Sequence, residues 1–159
     1  MAAMNRKLLK LAALASLIML VVLAAGCGGG GGAQRITGLA ADGVVKTFFD
    51  EAKAGHLDNA ALYVSPSTSN DPRVVMKYLT GQSGLNDLKN ANLLSLTKAA
   101  EQGNFAVVVA TLQTQPNSLN ITVKPVGLEK VGGEWYIVDF DKAFQDAKYQ
   151  VLAQLLSKV

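Results

Sequence analysis

Few residues of this chain carry reactive chemistry. Cys27 is its one cysteine and His56 its one histidine, so no cluster exists at metal-ligand spacing, and neither a metal site nor a cofactor is expected. The thiol of Cys27 follows the small residues Ala24, Ala25 and Gly26 and precedes five glycines. It therefore has neither a disulfide partner nor surrounding apolar residues that would bury it as a core cysteine.

The segment before Cys27 has the organisation of a secretory signal. Arg6, Lys7 and Lys10 form a positive region, residues 11–25 form an apolar run, and small residues precede the cut. A membrane-spanning helix needs about 20 consecutive apolar residues, and this run is shorter. An uncleaved membrane anchor is therefore the weaker alternative.

The five residues Leu23–Cys27 resemble the lipobox of bacterial lipoprotein precursors. The resemblance implies that residues 1–26 are a signal peptide cleaved between Gly26 and Cys27, that the thiol receives a diacylglycerol, and that the new amine receives an acyl chain such as palmitate. Two or more acyl chains anchor a protein stably, whereas one binds only marginally. The expected location is the cell membrane, with the protein lipid-anchored and facing outside the cytoplasm.

Removal of the signal also changes the charge. The chain has 15 basic and 12 acidic residues, and three of the basic residues belong to the signal, which leaves a mature chain of zero net charge. A nucleic-acid partner is not expected, because binding would need a basic face on the folded domain. The Gly-rich residues 27–38 are predicted to be a flexible tether carrying the lipid. Residues 39–159 are long enough for one domain with a core that needs no disulfide.

The first part of this domain is predicted to be helical. One helix begins with Asp42 as its N-cap and ends at Gly55, a short helical turn follows Asp58, and a further helix begins at Asp71 and ends at Gly81. The apolar residues that recur at helical spacing in the first helix predict its buried face: Val44, Val45, Phe48, Phe49 and Ala52.

The second part is predicted to be an antiparallel sheet. The runs with strand character are residues 93–97, 105–112, 121–131 and 134–140. The run 105–112 is apolar on both faces, which is typical of a central strand. Turns are predicted at Pro116–Ser118 and at Gly132–Gly133, and a bulge or bend at Pro125, which lacks a backbone donor. Helices followed by hairpins indicate an α+β fold.

Three segments resemble the nuclear-transport-factor-two-like (cystatin-like) superfamily, in particular small bacterial lipoproteins carrying a domain of unknown function. They are Ala54–Asp58, Gly103–Val107 and Gly133–Ile137. The resemblance implies N-terminal helices packed in a curved antiparallel sheet, a cone-like shape with a cavity at its open end. It implies no activity, because this fold carries enzymes, binding domains and structural units.

An extra C-terminal helix after Phe140 departs from the simplest version of that fold. Asp141 is its predicted cap. Its predicted apolar face consists of Phe144, Ala147, Val151 and Leu155, widened by Leu152 and Leu156. The helix either packs onto the sheet or closes the cavity mouth, and the alternative is that its apolar face docks another protein or a second copy.

The candidate pocket residues are Asp139, Trp135, Tyr63 and His56. Strand alternation places Asp139 on the face of Trp135. Some enzymes of the resembled superfamily use a carboxylate and a tyrosine for proton transfer, whereas the simpler interpretation is that Asp139 caps the next helix or meets solvent. His56 follows a helix end, where a solvated loop residue is commoner than a general base. The aromatic residues that could line a pocket are Tyr63, Tyr78, Trp135 and Tyr136, although aromatic residues at these spacings are more often core residues.

The chain is therefore expected to be a membrane-anchored extracytoplasmic lipoprotein without catalytic activity. Its domain either binds a small molecule or an unknown envelope protein, or is structural. The alternative is an isomerase-like or hydrolase-like enzyme of the same fold. A pocket where polar side chains converge, with Asp139 or His56 among them, would favour the enzyme, and a cone filled with apolar side chains would exclude it.

Overall fold

The computed structural model describes residues 32–81, 85–114 and 119–159, and of residues 85–87 it describes the backbone alone. The predicted signal peptide, Cys27 and the predicted turn at Pro116 lie outside these residues. Residues Ala33–Val159 form one compact unit. In chain order, the described elements are α1 (Ala41–Ala54), α2 (Leu57–Ala61), α3 (Pro72–Thr80), α4 (Leu85–Asn90), β1 (Asn92–Gln102), β2 (Phe105–Gln113), β3 (Ile121–Val131), β4 (Glu134–Ile137), α5 (Phe140–Gln145), a 3-10 turn (Ala147–Tyr149) and α6 (Gln150–Leu156).

Helix α1 has the predicted extent and buries the predicted face. Its N-cap is Ala40, whose side chain offers no oxygen, so the prediction that Asp42 is the cap is wrong. Asp42 lies instead in the first turn, where its charge favours the positive end of the helix. Gly55 ends the helix with φ +84°, a left-handed conformation that glycine adopts without strain.

Helix α3 begins and ends as predicted. The carboxylate of Asp71 accepts a hydrogen bond from the backbone N–H of Arg73 at 2.9 Å, Pro72 occupies the first turn, and Gly81 follows with φ +69°. The next helix, α4, was not predicted, since its six residues carry neither a cap signal nor a periodic apolar face.

The sheet is an antiparallel meander in the order β1-β2-β3-β4, which confirms the α+β class and the central position of β2. The predicted bulge at Pro125 is wrong, because β3 pairs with β2 in unbroken register. Within β3, strand β4 pairs only with Leu128–Val131, so at Pro125 β3 has a single neighbouring strand and the missing donor costs no ladder bond. The irregularities lie in β1 instead, between Leu93 and Ser95 and between Lys98 and Ala100.

Helices cover both faces of this sheet. Helix α1 lies on one face, and the sheet residues buried beneath it are Ala106, Val108, Ala110, Leu112, Val126, Leu128, Trp135 and Ile137. Helix α6 lies on the other face against β2 and β3, where Val107 is buried. Both cores are built within Ala33–Val159, so this part of the chain holds what it needs to fold on its own.

The C-terminal helix is broken in two, and the predicted cap and part of the predicted face are wrong. Asp139, not Asp141, caps α5, since its carboxylate accepts from the backbone N–H of Asp141 at 3.0 Å. Asp146 takes an extended conformation (φ −102°, ψ 126°) and interrupts the helix, which rotates the buried face. Of the predicted face, Phe144, Ala147 and Val151 are exposed, and Leu155 is buried. The buried residues are Ala143, Tyr149, Leu152, Leu155 and Leu156.

Helix α6 packs onto the sheet, as one predicted alternative required. A Cβ atom at Gly127 of β3 would lie 3.0 Å from Leu152 Cδ2, closer than carbon atoms normally approach. Glycine is needed here for space and not for an unusual φ. The close approach of Leu152 to the β3 backbone fixes the height of α6 above the sheet.

The end of the predicted tether contacts the domain. Arg35 Nη2 donates to the backbone carbonyl of Trp135 at 2.6 Å, Nη1 lies 3.5 Å from Glu134 Oε2, and the guanidinium lies 4.1 Å from the centre of the Tyr136 ring. The N–H of Gly38 donates to Glu134 Oε1 at 2.9 Å. Residues 35–38 therefore dock on β4. They were assigned to the tether because residues 28–38 as a whole are Gly-rich and nearly free of large apolar groups.

Candidate functional site

The four predicted pocket residues occupy three different environments. His56 is exposed, with Nδ1 2.9 Å from Glu51 Oε2 at the end of α1. Tyr63 and Trp135 are buried in the core beneath α1. Asp139 is buried and lines an open cleft.

Strand β4 ends at Ile137, before the predicted end at residue 140, and Asp139 therefore lies beyond the strand, at the cleft. Trp135 and Ile137 share the face that packs under α1, but the strand ends at Ile137 and Asp139 lies beyond it. Val138 N–H donates to the carbonyl of Gly127 at 2.9 Å, and the chain then turns into α5. The simpler sequence interpretation, that Asp139 caps the next helix, is confirmed.

The cleft lies between α3, β3 and the start of α5 and has a volume of about 410 Å³. A volume of this size is within the range of small-ligand pockets. The residues that line it are Val74, Lys77, Tyr78, Gly81, Lys124, Asp139, Phe140 and Asp141.

A stacked aromatic pair forms one wall of the cleft. The rings of Tyr78 and Phe140 are nearly parallel, at an angle of 16°, with their centres 4.4 Å apart. The Tyr78 hydroxyl donates to the carbonyl of Pro125 at 2.7 Å, so this residue connects α3, β3 and α5. Burial raises the pKa of Tyr78 well above its ordinary value, which keeps the phenol a neutral donor. The wall is therefore held in place before any ligand binds.

The charged side chains of the cleft do not neutralise one another. Lys77 and Asp141 are exposed, Lys124 is half-buried, and Asp139 is buried. None of the four forms an ion pair within 4.0 Å in the described part of the chain. Lys124 Nζ instead lies 5.1 Å from the centre of the Tyr78 ring. The cleft thus presents charges of both signs, without ion pairs in the described part of the chain, beside an aromatic wall.

A second groove, of about 280 Å³, runs between α1 and the edge strand β1. Its lining includes Asp42, Lys46 and the strand residues Leu93–Leu96. Lys46 Nζ is 2.6 Å from Asp50 Oδ2, so its charge already has a partner. This groove is smaller and offers a ligand fewer unpaired groups than the cleft.

A buried carboxylate on the α6 side of the sheet was missed by the sequence analysis. Glu129 of β3 is 3% exposed, and its Oε1 accepts hydrogen bonds from Ser65 Oγ and, at 2.9 Å, from Tyr149 Oη. Its Oε2 lies 2.7 Å from Lys148 Nζ. These contacts join the loop after α2 and the C-terminal segment to the sheet.

The charge state of Glu129 follows from these partners. Burial acts most strongly and raises the pKa, but hydrogen bonds from Lys148, Ser65 and Tyr149 together outweigh it, so the pKa of Glu129 lies below its ordinary value. Ser65 and Tyr149 are fully buried, which leaves no room for a substrate beside the carboxylate. We assign this cluster to stability and not to catalysis.

Two further features bear on the predicted classes. In residues 32–81, 85–114 and 119–159, no helix has the length and apolar character needed to cross a bilayer. The same residues contain no group of acidic, histidine or cysteine side chains arranged to hold a metal ion.

Comparison with known proteins returned no match. No protein-family model, no curated protein and no solved structure matches this chain. The fold and the cleft are therefore the basis for assigning a function.

Proposed function

We propose that this protein is a lipid-anchored lipoprotein of the cell membrane, facing outside the cytoplasm, whose domain binds a small ligand in the cleft between α3, β3 and α5. The anchor is supported by the lipobox-like residues Leu23–Cys27 and the positive and apolar segments before them. The binding function is carried by one observation: Lys124 lies half-buried over the Tyr78 ring, and no carboxylate of the described residues lies within 4.0 Å of its ammonium.

The finer fold assignment is also a proposal. We propose a cone-like domain of the nuclear-transport-factor-two-like type, and the position of α1 across β1, β2 and β4 supports it. The two irregularities in β1 also support it, because bulges bend a strand. The interior beneath α1 is filled by Val44, Phe48 and their neighbours, so the binding site is the cleft outside this core.

Binding is better supported than catalysis. For the enzyme alternative, Asp139 lines the cleft together with Lys77 and Lys124, but the interior beneath α1 is filled with apolar side chains, which counts against an enzyme. The carboxylate of Asp139 already accepts a hydrogen bond as the cap of α5, which occupies one of its oxygens. His56 is exposed and paired with Glu51, so it offers no second proton-transfer group at this site.

The anchor is tested by mass spectrometry of the full chain purified from membranes. We expect an N-terminal fragment that begins at Cys27 and carries the mass of a diacylglycerol. Cys27→Ser should abolish the modification and release the protein from the membrane. An unmodified thiol at position 27, or a chain that retains Met1, would contradict the proposal.

The cleft is tested with the mature chain carrying Cys27→Ser, which removes the lipid. The probe is anilinonaphthalene sulfonate, an anion with an aromatic body whose fluorescence rises in apolar sites. Lys124→Gln should weaken its binding at least about threefold, the size expected for a partly screened ion pair. Lys89→Gln, the same change on exposed α4, is the matched control. Equal binding by both variants would place the probe elsewhere and refute the binding function of the cleft.

A further inference from the structure

We propose that the ligand of the cleft is a zwitterion of amino-acid or dipeptide size with an apolar body. This inference rests on the binding function proposed above and specifies its ligand class. It follows from the arrangement of four charged side chains and two rings around one volume of about 410 Å³.

The charges of the cleft are balanced but separate. Lys77 and Lys124 contribute two positive charges, and Asp139 and Asp141 contribute two negative charges. None of these four side chains comes within 4.0 Å of an opposite charge in the described residues. Lys77 and Asp141 are exposed and keep their hydration, whereas Lys124 and Asp139 lose part of theirs with no opposite charge of the described residues nearby to compensate.

The positive side of the cleft is centred on Lys124. Its ammonium lies 5.1 Å from the centre of the Tyr78 ring, and the side chain is half-buried between α3 and β3. A ring face attracts a cation but replaces only part of the water that burial removes. An anionic group of a ligand would complete this environment, with Lys77 as a second, exposed cation.

The negative side is centred on Asp139. Its Oδ1 accepts the cap hydrogen bond from Asp141 N–H. In the described residues its Oδ2 has no hydrogen-bond partner and is open to the cleft. A ligand ammonium would pair with this carboxylate and with the exposed carboxylate of Asp141.

A ligand with a single charge fits this cleft poorly. An anion attracted by the lysines would meet the field of two carboxylates, and a cation attracted by the carboxylates would meet two ammonium groups. A zwitterion satisfies both sides at once. The rings of Tyr78 and Phe140 and the side chain of Val74 then contact its apolar body.

The test uses three probes that share one phenyl body and differ in charge. They are phenylalanine (a zwitterion), phenylpropanoate (an anion) and phenylethylamine (a cation), each titrated calorimetrically into the mature chain with Cys27→Ser at neutral pH. We expect phenylalanine to bind at least about tenfold more tightly than either of the other two. Equal or tighter binding of phenylpropanoate or phenylethylamine would overturn the inference.

Two variants assign each charge to its side of the cleft. Lys124→Gln should weaken phenylalanine and phenylpropanoate about three- to tenfold and leave phenylethylamine unchanged. Asp139→Asn should weaken phenylalanine and phenylethylamine instead, and it keeps the helix cap because asparagine caps as well as aspartate. Lys89→Gln should change none of them. An unchanged affinity for phenylalanine in both cleft variants would overturn the inference.

The two proposals fail in different ways. If anilinonaphthalene sulfonate binds through Lys124 while phenylalanine shows no binding, the cleft is a ligand site but its ligand is not a zwitterion. If neither anilinonaphthalene sulfonate nor any phenyl probe binds, the binding function itself is refuted.

Discussion

The buried carboxylate of Glu129 yields the sharpest stability prediction. Glu129→Gln keeps the shape of the side chain and its Oε1, which accepts from Ser65 and Tyr149. The change replaces the oxygen that faces Lys148 with an NH₂ group, so two donors then face each other across the 2.7 Å contact. We expect the variant to fold and to be less stable at neutral pH.

The size of the loss follows from the surroundings of Lys148. A hydrogen bond to a charged group contributes about 1.5–3 kcal/mol to stability. Breaking a fully buried ion pair costs about 3–5 kcal/mol, because the remaining charge stays unpaired in the interior. Lys148 is 45% exposed and regains water when its partner is removed, so the lower range, about 1.5–3 kcal/mol, applies.

The loss should depend on pH in a defined direction. The pKa of Glu129 is lowered in the folded state, so its contribution is present above the ordinary value of 4.5 and disappears as the pH falls through the folded-state pKa. Protonated Glu129 resembles glutamine, and the stabilities of the two proteins should therefore converge in acid.

Urea unfolding of both proteins at about pH 7 and about pH 3 measures this difference. Glu101→Gln is the control, since Glu101 forms an exposed pair with Lys98 and its loss should leave the midpoint unchanged. A loss of equal size at both pH values would refute the assigned role of the Glu129 charge. So would the absence of a loss at neutral pH.

Three further substitutions test the fold. Gly127→Ala should destabilise the protein by about 1–3 kcal/mol, because the new Cβ overlaps Leu152. Leu152→Val in the same chain should recover part of the loss. Denaturant midpoints that do not move would contradict the close approach of α6. Gly43→Ala on α1 should instead stabilise by about 0.5–1 kcal/mol, since its Cβ meets only ordinary contacts, and a lower midpoint would be inconsistent with that environment. Asp71→Ala should cost about 0.5–2 kcal/mol through loss of the α3 cap, whereas Asp71→Asn should be nearly neutral.

The predictable parts of the fold are those with strong local signals. Asp71 with Pro72, Gly55, Gly81 and the Gly132–Gly133 hairpin each act within a few residues, and all four features are present. The caps assigned to Asp42 and Asp141 were local errors, since each residue lies in the first turn of its helix. The other errors arose where tertiary contacts decide. Pro125 is tolerated because the neighbouring strand is short, a fact that the residues around it do not encode.

The candidate site was predictable only in part for the same reason. Asp139 was identified from strand alternation, and the structure places it at the cleft by a different route, beyond the end of β4. Lys124 carried no signal, because a lysine in a strand is ordinarily a solvated residue. What distinguishes it is the Tyr78 ring, which comes from α3, 46 positions earlier, and such a contact is set by the topology of the whole domain.

Docking of Arg35 on β4 shortens the free part of the predicted tether. With a lipid on Cys27, seven residues (28–34) separate the anchor from Arg35, and the eight steps of an extended chain between them span at most about 28 Å. A tether that stayed free to residue 39 would span about 42 Å. Under the proposed anchoring, the guanidinium of Arg35, which lies 4.1 Å from the centre of the Tyr136 ring and donates to the Trp135 carbonyl, shortens the free segment between the lipid and the domain. Arg35→Ala would release the segment, and proteolysis between Cys27 and Leu39 should then become faster at unchanged stability of the two cores. Equal cleavage rates would show that Arg35 does not hold the segment in place.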